Sequence, residues 1–167
     1  LGEACASVLL TTDHCPEAAI LCGGAITNDA NHISGPSRTG DGLYHAIQGA
    51  LNDAELTSQD IGYVNLHGTA TVYNDEMEAK AIHLAQRQHA QVNSLKSYLG
   101  HTLGASGIAE TILSIMQLKA GIAFGTLGYE TNGVSLSLNV SGRHQKIATK
   151  TCVKTGSGFG GCNAAIV

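Results

Sequence analysis

The sequence predicts a layered α/β domain, and three observations carry that prediction. Short strand-like apolar runs alternate with segments of helical spacing. One long segment, residues 104–119, is apolar on nearly every face, which suits a helix buried on both sides. Two further strand-like runs flank a Gly-rich loop at the end of the chain, so sheet and helix must share one core.

Taken in order, residues 1–10 end on Val8-Leu9-Leu10 and are expected as a strand. Residues 18–27 are expected as a second, with Gly23-Gly24 marking a bulge or a close backbone approach. Leu43, Ala46, Ile47, Ala50 and Leu51 recur at helical spacing, predicting an amphipathic helix over 41–54. Residues 61–66 form a short strand. Residues 74–85 form a helix whose first turn carries Asp75, Glu76 and Glu78, suited to the positive end of its dipole. Residues 91–95 are a strand, residues 104–119 the buried helix, and residues 149–155 with 163–167 an antiparallel pair.

Composition narrows the function. At 167 residues the chain suits one domain. A hydrophobic share of 43% supplies a core and excludes disorder. A net charge of −4 disfavours nucleic acid, which requires a clustered basic surface. Charged residues are only 13%, against about 25% in an ordinary soluble domain. Such a shortage is expected where much surface is hidden against a partner, or where the chain is part of a larger protein. Leu1 is not an initiator Met, in keeping with the second alternative.

There is no basic flank before an apolar start, so no secretory signal is read. The apolar stretch 108–124 is interrupted by Glu110 and Lys119 and is too short to span a bilayer. Five cysteines, odd in number and without C-x-x-C spacing, disfavour disulfides and a metal site and suit reduced thiols in the cytoplasm.

Four features can carry chemistry. His67-Gly68-Thr69 follows a strand directly, and α/β sites gather at the carboxyl ends of strands; a loop histidine beside a turn glycine is the alternative. Ser94-Leu95-Lys96 and Gly100-His101 precede the buried helix, whose positive end would keep His101 neutral and able to donate a hydrogen bond to an oxyanion. His101 as a plain helix cap is equally open. Glu110, the one carboxylate in that helix, requires a partner: Lys96, a backbone group or a monovalent cation, in a structural role.

Last comes Gly156-Ser157-Gly158-Phe159-Gly160-Gly161, which satisfies G-x-G-x-x-G but leads into no helix and no later acidic residue. A dinucleotide site is therefore rejected. A tight loop presenting backbone N–H groups remains, with Phe159 as its bulky side chain.

Together, His67-Gly68-Thr69-x-Thr71, Asn74-Asp75-x-x-Glu78, Ser94-x-Lys96 with Gly100-His101-x-x-Gly104-Ala105-x-Gly107-x-x-Glu110, and Gly158-Phe159-Gly160-Gly161-x-Asn163 resemble the C-terminal half of β-ketoacyl-acyl-carrier-protein synthases. The resemblance implies a thiolase-like fold with a mixed five-stranded sheet, and a homo- or heterodimer. It also implies an N-terminal half, absent here, that supplies a cysteine nucleophile, and an acyl carrier protein that brings the substrate on phosphopantetheine. No further cofactor is expected.

Implied roles are two enolate-holding histidines, His67 and His101, with Lys96 orienting them. Gly158, Phe159 and Gly160 would form the oxyanion hole and gate. Thr69 and Thr71 would bind the phosphopantetheine arm. Ala4-Cys5-Ala6-Ser7 is rejected as the nucleophile because it runs into a β-branched strand. The chain alone is thus expected to be inactive and, with its covered faces bare, to self-associate. A thiolase, or a non-catalytic subunit like a chain-length factor, are the competing readings. His67-Gly68-Thr69 argues against the first, and joint retention of His67, Lys96 and His101 against the second.

Overall fold

The structure is a computed structural model and describes residues 1–167. Its regular elements are β1 (Gly24–Asn28), α1 (Asp41–Asp53), β2 (Tyr63–Asn65), α2 (Val72–Leu84), β3 (Gln91–Asn93), α3 (Lys96–Leu99), α4 (Ser106–Ala120), β4 (Ile122–Ala123), β5 (Gln145–Lys146), β6 (Cys152–Gly158) and β7 (Cys162–Ile166). Five strands form one mixed sheet in the order β1-β7-β6-β2-β3. The β3, β2 and β6 strands run parallel, β7 pairs antiparallel with β6, and β1 pairs antiparallel with β7. The β4 and β5 strands make a separate two-stranded ribbon.

Alternation along the strands gives the sheet two different faces. Val64, Val92, Val153 and Ala165 join Leu43, Ala46, Ile47, Ala50 and Leu51 of α1 and Met77, Ala81 and Ile82 of α2 in the apolar core. Their neighbours Tyr63, Asn65, Asn93 and Lys154 are buried on the opposite face, which α4 covers. One glycine decides how closely α1 sits. A Cβ on Gly23 would lie 2.5 Å from the Ala50 carbonyl oxygen, so the expected close approach is present.

Two expectations need correction. Residues 1–10 carry no regular structure, and Leu9 and Leu10 are 90% and 71% exposed. An apolar run becomes a strand only by pairing its backbone. Here the segment pairs with no strand, and Gly2 N–H instead donates to His101 O at 3.1 Å. The second strand likewise starts only at Gly24.

The second correction concerns α4, which is not buried on both sides. Its buried residues are Ser106, Glu110, Ser114 and Gln117, while Ile108, Ile112, Leu113 and Ile115 are half-covered and Met116 is 57% exposed. The reason lies beneath it: the sheet face is polar, so the polar stripe of the helix turns inward to satisfy it. No helix is long and apolar enough to cross a membrane.

Candidate active site

Because β2, β3 and β6 are parallel, the segments that leave their carboxyl ends emerge at one edge of the sheet. His67 follows β2, Lys96 and His101 follow β3, and Phe159 tips the hairpin after β6. This is the placement expected for an α/β site.

His67 is held by its backbone. Glu78, fully buried on α2, accepts the N–H of His67 at 2.8 Å and that of Gly68 at 2.6 Å. Asn74 Nδ2 and Thr155 Oγ1 also donate to this carboxylate, at 2.9 and 3.2 Å. Burial pushes the Glu78 carboxyl up, opposed by the two backbone N–H groups and by Lys154. In the sequence it reads as a first-turn acid and as a member of the Asn74-Asp75-x-x-Glu78 motif, without a role in the site.

Gly68 stands at φ +49°, and a Cβ there would fall 2.4 Å from Ser94 Cβ. Ser94 Oγ donates to Gly68 O at 2.8 Å and so ties the β2 loop to the β3 loop. Beyond it, the non-glycine Ala70 also has positive φ, at 59°. The hydroxyls of Thr69 and Thr71 lie 2.9 Å apart, the first half-buried and the second exposed.

On the other loop, Leu103 N–H donates to His101 Nδ1 at 3.1 Å, from a backbone held at φ +52°. With Nδ1 accepting, the proton of the neutral ring sits on Nε2. Burial and then Lys96 hold the His101 ring below its ordinary value. The neutrality expected from the helix dipole is therefore present, with desolvation and a neighbouring cation as its causes. His67 is pushed down to about 3 by burial, then by Lys96, Lys154 and His101. The two rings meet edge to face, with centroids 5.1 Å apart.

Beneath the histidines lies a buried charge cluster. Lys96 Nζ is 2.6 Å from Glu110 Oε1, one of the three partners the sequence leaves open for this carboxylate. Lys154 Nζ is 2.6 Å from Glu110 Oε2, a partner the sequence reading missed. Its signal was legible: a lysine inside an otherwise uncharged strand next to valine.

Phe159 is 85% exposed at the hairpin tip, where Gly160 and Gly161 take positive φ and Gly160 N–H donates to Ile33 O at 2.7 Å. Asp29 organises the adjoining loop by accepting from Ser37 N–H and Asn163 Nδ2. A cavity of about 60 Å3 lies among Asp29, Ser157, Phe159 and Asn163. The structure thus brings His67, His101, Lys96 and Glu110 together and sets Gly158, at the end of β6, with Phe159 and Gly160 on a separate hairpin at the same edge.

Comparison with known proteins agrees with this architecture. The family described as "Beta-ketoacyl synthase, C-terminal domain" matches residues 18–130. The chain is 33% identical over 149 residues to 3-oxoacyl-[acyl-carrier-protein] synthase II, chloroplastic, of Arabidopsis thaliana, covering 87% of this chain and 28% of that protein. It is 35% identical to a putative polyketide beta-ketoacyl synthase 1 of Streptomyces halstedii, covering 88% and 36%.

Among solved structures, a beta-ketoacyl synthase from Burkholderia phymatum STM815 superposes with a TM-score of 0.82 at 30% identity, over 87% of this chain and 36% of that one. A ketosynthase in complex with its chain length factor from Xenorhabdus doucetiae gives 0.81 at 31%, over 87% and 37%. The chain spans between 28% and 37% of the length of these four relatives. The layered α/β fold with its mixed five-stranded sheet is theirs, and the chain belongs to the β-ketoacyl synthase C-terminal domain family.

Proposed function

We propose that this chain is the C-terminal portion of a condensing enzyme that extends an acyl thioester with a malonyl thioester, releasing carbon dioxide. The observation that carries the reading is the pair of neutral imidazoles, His67 and His101, meeting at the carboxyl edge of the sheet. Neutral N–H donors placed where negative charge develops lower a barrier without a proton transfer.

In the proposed reaction the bond between the malonyl α-carbon and its carboxylate breaks. Carbon dioxide leaves, and the electron pair delocalises onto the thioester oxygen as an enolate. His101 donates Nε2–H to that oxygen, as its occupied Nδ1 supports. His67 donates the second hydrogen bond. The enolate carbon then attacks the acyl thioester carried on a cysteine of an N-terminal companion half. The backbone N–H of Phe159, between Gly158 and Gly160, holds the tetrahedral oxyanion until the cysteine thiolate departs.

Lys96 orients the histidines through its ion pair with Glu110, and Thr69 and Thr71 bind the phosphopantetheine arm of an acyl carrier protein. No cofactor of the enzyme's own enters. The relative solved with its chain length factor supports assembly into a dimer. Five unpaired cysteines support a reducing, cytoplasmic setting.

The test is decarboxylation of malonyl carrier protein by this chain joined to an N-terminal half bearing the cysteine. Expected are turnover by the pair, none by the chain alone, and a loss of about 100-fold or more for His101→Ala or His67→Ala. Ketoacyl product from the chain alone, or undiminished rates in both variants, overturns the proposal.

A further inference from the structure

We propose that Lys154 is a positioning residue whose ammonium joins the two histidine loops into one charge-balanced unit. Polar contacts connect them, hydrogen bonds at each step except the Lys154–Glu110 ion pair, in which Glu110 Oε2 accepts no hydrogen bond. Thr155 Oγ1 accepts the His67 N–H at 3.3 Å and donates to Glu78 Oε1 at 3.2 Å. Lys154 donates to the Thr155 carbonyl and lies 2.6 Å from Glu110 Oε2. The other oxygen of that carboxylate meets Lys96 Nζ at 2.6 Å, on the turn that leads into Gly100-His101. Lys154 is thus the link between β6, which braces the His67 loop, and α4, which starts just after His101.

Charge reinforces the geometry. Lys96, Lys154, Glu78 and Glu110 are all buried, two cations against two carboxylates. A balanced set can remain ionised without solvent, whereas removing one member leaves an uncompensated charge inside the protein. Lys154 also stands beside Asn65 in the β2–β6 register, on the same sheet face. The ammonium meets two oxygen acceptors, the Glu110 carboxylate and the Thr155 carbonyl, while Asn65 Oδ1 is buried and accepts no hydrogen bond.

The groups around the His67 ring come from every packed element: Lys96 of α3, Lys154 of β6, His101 of the loop before α4, with Glu78 of α2 and Glu110 of α4 behind them. Taking away the Lys154 charge leaves an excess negative charge in that set. The His67 imidazolium is then favoured, and the neutral donor is lost at higher pH than before. Lysine here serves the histidines while touching no substrate.

The catalytic part of this inference rests on the proposed condensing reaction; the titration part does not. The experiment follows the imidazole nitrogens of His67 by NMR across pH in the 167-residue chain and in Lys154→Met and Lys154→Arg. Lys154→Met is expected to raise the His67 midpoint by about one pH unit or more, and Lys154→Arg to keep it low. Should the methionine variant unfold, Lys154→Met with Glu110→Gln restores charge balance and is expected to fold with a low His67 midpoint.

In the assembled enzyme, Lys154→Met is expected to lower kcat for malonyl decarboxylation about tenfold with KM within about twofold. A wild-type enzyme without decarboxylation sinks the functional reading while the titration still decides the role of Lys154. A His67 titration identical in wild type and Lys154→Met overturns the inference. So does a charge-balanced double variant whose His67 midpoint rises by a unit.

Discussion

His67 and His101 meet edge to face, their planes at 82°, although 34 positions separate them in the sequence and each belongs to a different strand's loop. Their meeting depends on the parallel pairing of β2 with β3, which sends both loops off the same edge. Ser94 then holds the loops together through Gly68 O. Burial first, and then Lys96 behind the rings, hold both below their ordinary value, so the pair is suited to donating hydrogen bonds.

That neutrality makes stability depend on pH in a defined direction. An unfolded imidazole titrates near 6.5, whereas His67 in the fold is held down to about 3. As pH falls below 6.5 the unfolded chain takes up a proton that the folded chain refuses, so stability declines until the folded midpoint is passed. Between pH 6.5 and 4 this one group should remove about 3 kcal/mol. Denaturant midpoints across that range check it: His67→Gln should show a shallower acid loss than wild type, and parallel curves refute it.

Gly68 should tolerate no side chain. Its φ of +49° and the 2.4 Å separation from Ser94 Cβ leave a methyl group nowhere to go unless the two loops part. Gly68→Ala is expected to lose about 2 kcal/mol of stability. In the assembled enzyme it should also lower malonyl decarboxylation more than Thr71→Ala, whose side chain is exposed. Chemical denaturation and the decarboxylation rate are the two measurements, and a Gly68→Ala protein with wild-type values in both is the contrary result.

Much of this was legible in the chain. Helical spacing marked α1 because its apolar face enters the apolar core, against β1, β7 and α2. His67 and His101 were legible because each follows a strand and is flanked by glycine. The orientation of α4 was not, since a count of apolar residues reports what a helix could bury and says nothing of which side its own chain covers. The stripe Ser106, Glu110, Ser114, Gln117 was the available signal, spaced as one helical face. Lys154 was missed, and Glu78 was singled out without a role, for a related reason: their roles come from long-range contacts, Glu78 to Thr155 and Lys154 to Glu110, that local periodicity does not encode.

The polar stripe carries a second stability prediction. Gln117 Oε1 accepts from Phe124 N–H at 2.6 Å and Asn93 Nδ2 at 2.9 Å, and Asn93 Oδ1 in turn accepts from Tyr63 OH and Asn65 Nδ2. Gln117→Leu adds apolar surface to a fully buried site yet leaves the Phe124 N–H without a partner and Asn93 Nδ2 with the Phe124 carbonyl alone. Because an unmet buried donor costs more than a methyl group gains, the variant should be less stable by about 2–4 kcal/mol. A thermal melt equal to or above wild type contradicts this.

The outward side of α4 sets the last expectation. With its polar stripe turned to the sheet, the helix leaves Met116 exposed and Ile108, Ile112 and Ile115 half-covered, while Leu103 just before it is 66% exposed. A surface of that kind gains free energy by leaving water, at about 25 cal/mol per Å2 covered. The 167-residue chain should therefore associate with itself as its concentration rises and bind a hydrophobic dye. Ile112→Lys with Met116→Lys should suppress both with little change in melting temperature, because neither side chain is fully buried. In the proposed enzyme the same two changes should also weaken joining to an N-terminal half, since a charged face cannot be covered without loss of hydration. Sedimentation velocity over a concentration series decides it: a wild-type chain that stays monomeric and dye-silent would mean that the face needs no cover.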